Sequence, residues 1–370
     1  MQICVAAGEV SGDQILAPIL SRVSELETVY FSGIAGPSMV EAGTYPLFPM
    51  DRLSVMGIVE VIPRLPELLW IRRQMKHYLS ESYPRAVITC DAPDFNLALC
   101  AHAKSLGIPA IHVVSPSVWA WRRSRIPQIA EKLDLLLCMF PFEPALYDGT
   151  GLRCEFVGHP LAAQIDFNPD PTDFRSNLDL PLAAPVLGIF PGSRESEVKR
   201  LLPLFLGAFD RLVTDMPDLV GIIPAATRDL YRLIQSMIGL RAVRVVYGES
   251  RRVIAASTAV LLASGTAALE AVLTGRPAVA AYQINPWSYQ MIKGKLETKY
   301  ITLPNVLANQ TLIPELIQRG ASVNSIVSAM TPLLKEGLSD QFLTEARKIH
   351  NSLTVNLTDR ASQIIVEHLS

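Results

Sequence analysis

The stretch Val186–Leu202, VLGIFPGSRESEVKRLL, constrains this chain more than any other. Five apolar residues, Val186 to Phe190, read as a buried parallel strand. A Pro-Gly-Ser-Arg turn follows, then a helical pattern with Val198, Leu201 and Leu202 on one face. Strand, glycine turn and helix start together make an anion site. The first N–H groups of a helix lack intrahelical partners, and its dipole favours negative charge. Gly192 lets the backbone come close, Ser193 can cap, and Arg194 offers a planar fork for phosphate oxygens. A diphosphate fits this junction. So does an ordinary turn with a surface arginine, and these residues alone leave both readings open.

Units of this kind recur along the chain. Strands are expected at Ile3–Ala7, Val29–Ile34, Ala86–Cys90, Ala110–Val114, Leu133–Met139, Cys154–Val157, Leu219–Pro224, Arg244–Tyr247, Ala259–Ala263 and Pro277–Tyr282. A helix is expected over Gln14–Leu26, and the tail from Ala321 reads as helical with breaks near Gly337 and Asn356. Alternating strands and helices predict an α/β fold with parallel sheets. The 370 residues exceed one ordinary core, so two domains are expected. The first spans 1–166 and the second 186–345, with a Pro- and Asp-rich linker over 167–185. The helices of 346–370 are expected to pack back on the first domain.

A net charge of -2 argues against a nucleic-acid partner, which calls for a basic excess. No apolar run reaches the roughly 18 residues a membrane-spanning helix needs. The start, MQICVAAGEV, lacks a basic region and reads as a first strand rather than a signal peptide. The cysteines, Cys4, Cys90, Cys100, Cys138 and Cys154, are scattered without CxxC or metal spacing and read as buried thiols. No metal and no cofactor is expected.

Several loops at strand ends carry candidate chemistry. AGEVSGD, residues 7–13, follows the first strand and offers Glu9 and Ser11. DAPDFN, residues 91–96, follows another. One of Asp91 and Asp94 can serve as a general base and the other can cap the next helix near Leu97, or both are turn residues. SPSVWAWRRSR brings Ser115, Trp119, Trp121 and Arg122, suited to stack on a sugar and hold phosphate, or to loop packing. SGTAALE is a second strand–glycine–helix junction. Ser264, Gly265 and Thr266 open its helix, and Glu270 is either a ribose acceptor or a surface carboxylate. LPNVL, residues 303–307, reads as a loop with Asn305 as turn former or polar contact, and IPELIQ as the start of a helix. The segment Val55–Trp70 carries Val59, Val61, Ile62, Leu65, Leu68 and Leu69 beside a basic cluster. That pattern suits a lipid interface or a core-facing helix, and Pro63 and Pro66 limit it to short helical pieces or one starting near Pro63.

AGEVSGD, GIAGPSM, VMGIVEV, DAPDFN, HVVSPSVWAWR, PFE, FVGHPL, PGSRESEV, ASGTAALE and LPNVLA stand in this order along nearly the whole chain. In this the sequence resembles the lipid-A-disaccharide synthases. The resemblance implies a GT-B fold, two Rossmann-like domains facing a central cleft. It implies an inverting, metal-independent transfer from UDP-2,3-diacylglucosamine to 2,3-diacylglucosamine 1-phosphate, giving a β-1′,6-linked disaccharide phosphate and UDP. Asp91 falls on the family's essential aspartate, a candidate base, and Arg194 on its essential arginine. Asn305 matches a donor-site asparagine, and Glu270 a residue near the ribose. Gly192, Ser193, Ser264, Gly265 and Thr266 complete the donor set. Glu9, Ser11, Asp94, Ser115, Trp119, Trp121 and Arg122 are candidates on the acceptor side. Val59, Val61, Ile62, Leu65, Leu68 and Leu69 would take acyl chains or touch the inner face of the inner membrane from the cytoplasm. A homodimer is left open. The alternatives are another UDP-sugar enzyme of this architecture, an epimerase or soluble glycosyltransferase, and a non-catalytic lipid- or nucleotide-binding relative. There are departures. Asn309 and Gln310 replace a common Gly-Arg, Glu297 stands where lysine is common, and Val113 after His112 replaces a frequent tyrosine.

Overall fold

A computed structural model describes residues 1–53, 58–284 and 298–370, without the side chains of 58–62 and of Trp121. Val59, Val61, Ile62, Trp121 and Glu297 as candidate side chains therefore lie outside the described residues. The chain divides into two compact units, Met1–Pro160 with Leu353–Ser370, and Leu161–Ser352.

The first unit holds β1 (Gln2–Ala7), β2 (Tyr30–Ala35), β3 (Tyr45–Pro49), β4 (Ala86–Cys90), β5 (Ala110–Val113), β6 (Leu135–Cys138) and β7 (Arg153–Phe156). They form one sheet in the order β3-β2-β1-β4-β5-β6-β7, every pairing parallel. β1, β4, β5 and β6 are buried almost throughout, which is why they read as continuous apolar runs rather than alternating ones. Helix Leu357–Leu369 packs on helix Val10–Leu26. It adds Leu357, Ala361, Ile364, Ile365 and Leu369 to the first core.

The second unit holds β8 (Val186–Phe190), β9 (Val220–Ala225), β10 (Val243–Tyr247), β11 (Ala259–Leu262), β12 (Ala278–Tyr282) and β13 (Glu315–Ile317). Their order is β10-β9-β8-β11-β12-β13, again parallel. Helix Glu195–Asp215 buries Val198, Leu201, Leu202, Phe205, Phe209 and Leu212 on the face its spacing predicts. Residues 167–185 belong to this unit and carry helix Pro171–Asn177, whose Asp170 cap accepts from Thr172 N–H at 2.9 Å.

Four expectations change. β3 and β13 are strands that the sequence hid, and both lie at sheet edges. The prolines of Tyr45–Pro49 argue against a central strand but are tolerated at an edge, and ELI of β13 is too short to show a period. ELI was expected to open a helix. LPNVL is helical, Leu303–Ala308, because Pro304 sits in the first turn, where its missing N–H has no partner to lose. Helix Val10–Leu26 starts four residues before Gln14, within AGEVSGD. Helix Ile58–Ser82 runs through Pro63 and Pro66 near its amino end, each removing one N–H from the ladder.

Both sheets reverse strand order beside their first strand, between β1 and β4 and between β8 and β11. Ligands of open parallel sheets bind outside the carboxyl ends of strands at such a point. The loops that leave those strand ends are AGEVSGD, DAPDFN, PGSR and SGTA.

Candidate functional site

In the first unit, β1 delivers Gly8 and β4 delivers Asp91 to the switch point. Gly8 N–H donates to Asp91 Oδ1 at 2.9 Å. Asp91 Oδ2 is buried and has no hydrogen-bond partner among the described residues. Burial pushes the carboxyl up to about 7. The Gly8 N–H pulls it down, the Glu9 carboxylate pushes it up, and the Gly12 and Glu9 amides pull down more weakly. The glycines of AGEVSGD make room for this group. A Cβ on Gly12 would lie 1.9 Å from Asp91 Oδ2, and one on Gly8 2.2 Å from Ala92 Cβ.

The backbone turns sharply at the carboxylate. Asp91 and Ala92 both take left-handed conformations, at φ of 50° and 38°. That is unfavourable for residues with a Cβ. Asn96, fully buried one turn into helix Pro93–Ser105, holds the turn by donating from Nδ2 to the Cys90 and Asp91 carbonyls, each at 2.9 Å. Asp94 does not cap the helix near Leu97. The helix begins at Pro93, and Asp94 in its first turn pairs instead with Arg125 at 2.8 Å.

Asp13, also buried, accepts from the N–H groups of Gly36, Ser38 and Met39 at 3.0, 2.9 and 3.1 Å. It ties the end of AGEVSGD to GIAGPSM, and a Cβ on Gly36 would meet Asp13 Cγ at 2.5 Å. Glu143, the acid of PFE, accepts from Met139 and Phe140 N–H at 3.1 and 3.0 Å, and burial pushes it up to about 8. Around the ends of β5 and β6 stand aromatic rings. Trp119 meets Phe142 edge-on at 5.8 Å, and Phe140 stacks on Phe142 at 5.8 Å and lies 5.2 Å from His159. Trp119 Nε1 is buried without a partner among the described residues. Ser115 is buried, its Oγ 3.3 Å from Tyr147 Oη. Glu9, Ser11 and Arg122 are exposed. His112 lies in the core, its Nδ1 2.7 Å from Thr89 Oγ1, and burial lowers it to about 4.

In the second unit, a cavity of about 510 Å³ opens at the β8–β11 switch point. Gly192, Ser193, Arg194, Ser264, Gly265, Thr266 and Glu270 all line it. Arg194 is the N-cap of helix Glu195–Asp215, its side chain 73% exposed and 3.6 Å from Glu197 Oε1. Glu270 stands 3.4 Å from Arg251 Nε, and burial raises its carboxyl against that arginine's pull. Pro224, Ala225 and Phe190 supply an apolar wall. Asn305 is not among the lining residues. It is fully buried, and its amide is spent on Ile313 O and Glu315 Oε1 at 2.8 and 2.9 Å and on the N–H groups of Leu312 and Ile313 at 2.8 and 2.9 Å. Asn309 closes helix Leu303–Ala308 in a left-handed conformation, φ 50°, which asparagine adopts more readily than most residues with a side chain.

On helix Ile58–Ser82, Leu65, Leu69 and Trp70 are 46%, 45% and 48% exposed, while Leu68 is half-buried. Arg52 lies over the rings of Phe48 and Trp70, 6.0 and 5.7 Å from their centroids, and pairs with Glu67 at 2.6 Å. No described helix is long and apolar enough to cross a membrane. Among the described residues, no group of three or more His, Cys, Asp or Glu side chains is arranged to hold a metal ion.

A family model described as Lipid-A-disaccharide synthetase matches residues 3–366. The chain is similar to the lipid-A-disaccharide synthase of Pseudomonas aeruginosa strain LESB58, with 39% identity over 371 residues covering 99% of this chain and 98% of the relative. The enzymes of that name from Idiomarina loihiensis and Chromobacterium violaceum are 39% and 36% identical, covering 100% and 99% of this chain and 98% and 97% of theirs. Among solved structures, the UDP-GlcNAc 2-epimerase of Neisseria meningitidis bound to UDP-GlcNAc superposes with a TM-score of 0.67 at 12% identity, covering 100% of this chain and 99% of that one. MurG of Acinetobacter baumannii gives 0.59 at 17%, with 99% of each chain covered. At these identities the likeness speaks to fold alone, and the fold is the expected α/β GT-B type.

Proposed function

This chain belongs to the lipid-A-disaccharide synthase family, glycosyltransferases of lipid A biosynthesis, and from that premise we propose that it joins UDP-2,3-diacylglucosamine to 2,3-diacylglucosamine 1-phosphate by inverting displacement. The observation that carries the reading is the gathering of seven expected donor residues around one cavity at the β8–β11 switch point. In this reading the acceptor hydroxyl gives its proton to Asp91, and its oxygen attacks the anomeric carbon. The bond to the diphosphate breaks, and UDP leaves with the electron pair. A carboxylate near 7 suits a base working at neutral pH, because it is both largely available and basic enough to take the proton. Charge on the departing diphosphate would be met by Arg194 and by the helix starts at Glu195 and Thr266. Glu270 would accept the ribose hydroxyls. The exposed Leu65, Leu69 and Trp70 would meet acyl chains or the membrane surface.

The test is mass spectrometry of the products from the two diacylated substrates. A disaccharide 1-phosphate should form, and Asp91→Ala and Arg194→Ala should each lower turnover by about a thousandfold, the scale of a lost base or charge-stabilising donor. Asp91→Ala should still bind UDP. Equal turnover on a water-soluble acceptor would favour a different glycosyltransferase, and an epimerised UDP-sugar an epimerase. UDP binding with no product from any of these would favour a non-catalytic relative.

A further inference from the structure

We propose that Glu197 is a specificity-determining residue of the diphosphate site, engaging the same donors the diphosphate needs so that a bound anion must displace it. The inference rests on the donor reading above. Glu197 is the third residue of helix Glu195–Asp215 and lines the same cavity. Its Oε2 accepts from Ser193 N–H at 3.2 Å. Its Oε1 lies 3.6 Å from Arg194 Nη1 and accepts from Tyr282 Oη–H at 3.5 Å.

The loop is shaped around this carboxylate. Gly192 takes a φ of 116°, and a Cβ there would lie 2.5 Å from Glu197 Oε2 and 2.6 Å from Glu197 Cβ. Glycine at this turn therefore admits the glutamate as well as any ligand. Two other carboxylates line the cavity, and each has an arginine outside the PGSR turn. Glu249 lies 3.2 Å from Arg252 and Glu270 3.4 Å from Arg251. Glu197 instead shares Arg194, the fork that the donor reading assigns to phosphate oxygens. Like charges a few ångströms apart repel strongly in a partly dry site. A diphosphate carries enough charge to take over both the Ser193 N–H and the Arg194 guanidinium, and weaker anions do not.

The experiment compares UDP and uridine binding to the full chain and to Glu197→Gln by calorimetry. Glutamine keeps the size and an acceptor oxygen for Ser193 N–H but drops the charge. UDP should bind about tenfold tighter to the variant at low salt, the gain should shrink as salt screens the repulsion, and uridine should be unchanged. UDP binding no tighter than the parent's, with uridine unchanged, overturns the inference. A parent that binds no UDP overturns the donor reading itself. Should the glutamine variant fail to fold, Glu197→Asp carries the test. Its carboxylate is drawn back by one methylene from Ser193 and Arg194, so tighter UDP binding supports the inference and unchanged binding overturns it.

Discussion

Burial raises Asp91 to about 7 and Glu143 to about 8, yet the two residues answer pH differently. Asp91 must be ionised to take a proton. Turnover should therefore rise with pH along a limb centred near 7, and a profile flat from pH 5 to 8 would remove it as the base. Its folded-state value lies above the ordinary 3.8, so the fold favours the neutral acid and loses stability as pH climbs through about 7. Asp91→Asn should consequently melt higher than the parent, with the gap widening from pH 5 to pH 8 to about 2–4 kcal/mol, while turnover is lost. Glu143 accepts from two backbone N–H groups, so its titration bears on stability. Its contribution is fully present below the ordinary 4.5 and is lost as pH rises through about 8. The parent's melting temperature should fall between pH 6 and 9, and Glu143→Gln should flatten that fall. The residues after β4 left Asp91 and Asp94 open as base, cap or turn, and the family resemblance alone singled out Asp91, because two carboxylates in one proline turn read alike. Asp13, Asn96 and Glu143 stood inside quoted motifs with no role. Their partners are backbone groups, which leave no mark on the residue types around them.

The turn from β4 into helix Pro93–Ser105 shows what an element must do for such a residue. Replacing a helical glycine by alanine ordinarily stabilises by up to about 1 kcal/mol. At Gly12 the added methyl would meet Asp91 Oδ2 at 1.9 Å, so steric displacement wins. Gly12→Ala should lower turnover by about a hundredfold or more, the scale of a misplaced reacting group, and leave UDP affinity unchanged. Calorimetry beside an activity assay checks both halves. Asn96→Ala should cost about 2–3 kcal/mol in denaturant melts, since a buried carbonyl and a partly buried one lose their donor and two left-handed residues lose their brace. Buried strands such as β1, β4 and β8 were readable because burial on both faces leaves an unbroken apolar run. The edge strands β3 and β13 were not, since an edge can be short and can carry proline. The PGSR and SGTA junctions were readable as strand–turn–helix starts, with a ligand loop or an ordinary turn both open, but the internal amide network of Asn305 was not, because it depends on the chain closing back on Glu315 ten residues away.

Across the molecule, the order of the second sheet's six strands repeats that of β1–β6 in the first, which adds β7 at its edge, although the halves share no visible sequence repeat. The exposed Leu65, Leu69 and Trp70 belong to one unit only. Changing Leu65 and Leu69 to glutamate should reduce pelleting with anionic vesicles several-fold without lowering UDP affinity, and equal partitioning would exclude that helix as the contact. Helix Leu357–Leu369 belongs to the same unit, which is otherwise built from Met1–Pro160. A ribosome making this chain emits most of that unit first but supplies helix Leu357–Leu369 only after the whole of Leu161–Ser352 has emerged. The second unit can thus mature while the first still shows bare apolar surface on helix Val10–Leu26. Nascent chains arrested before residue 350 should bind chaperones through that surface, and release of the finished chain should end the binding.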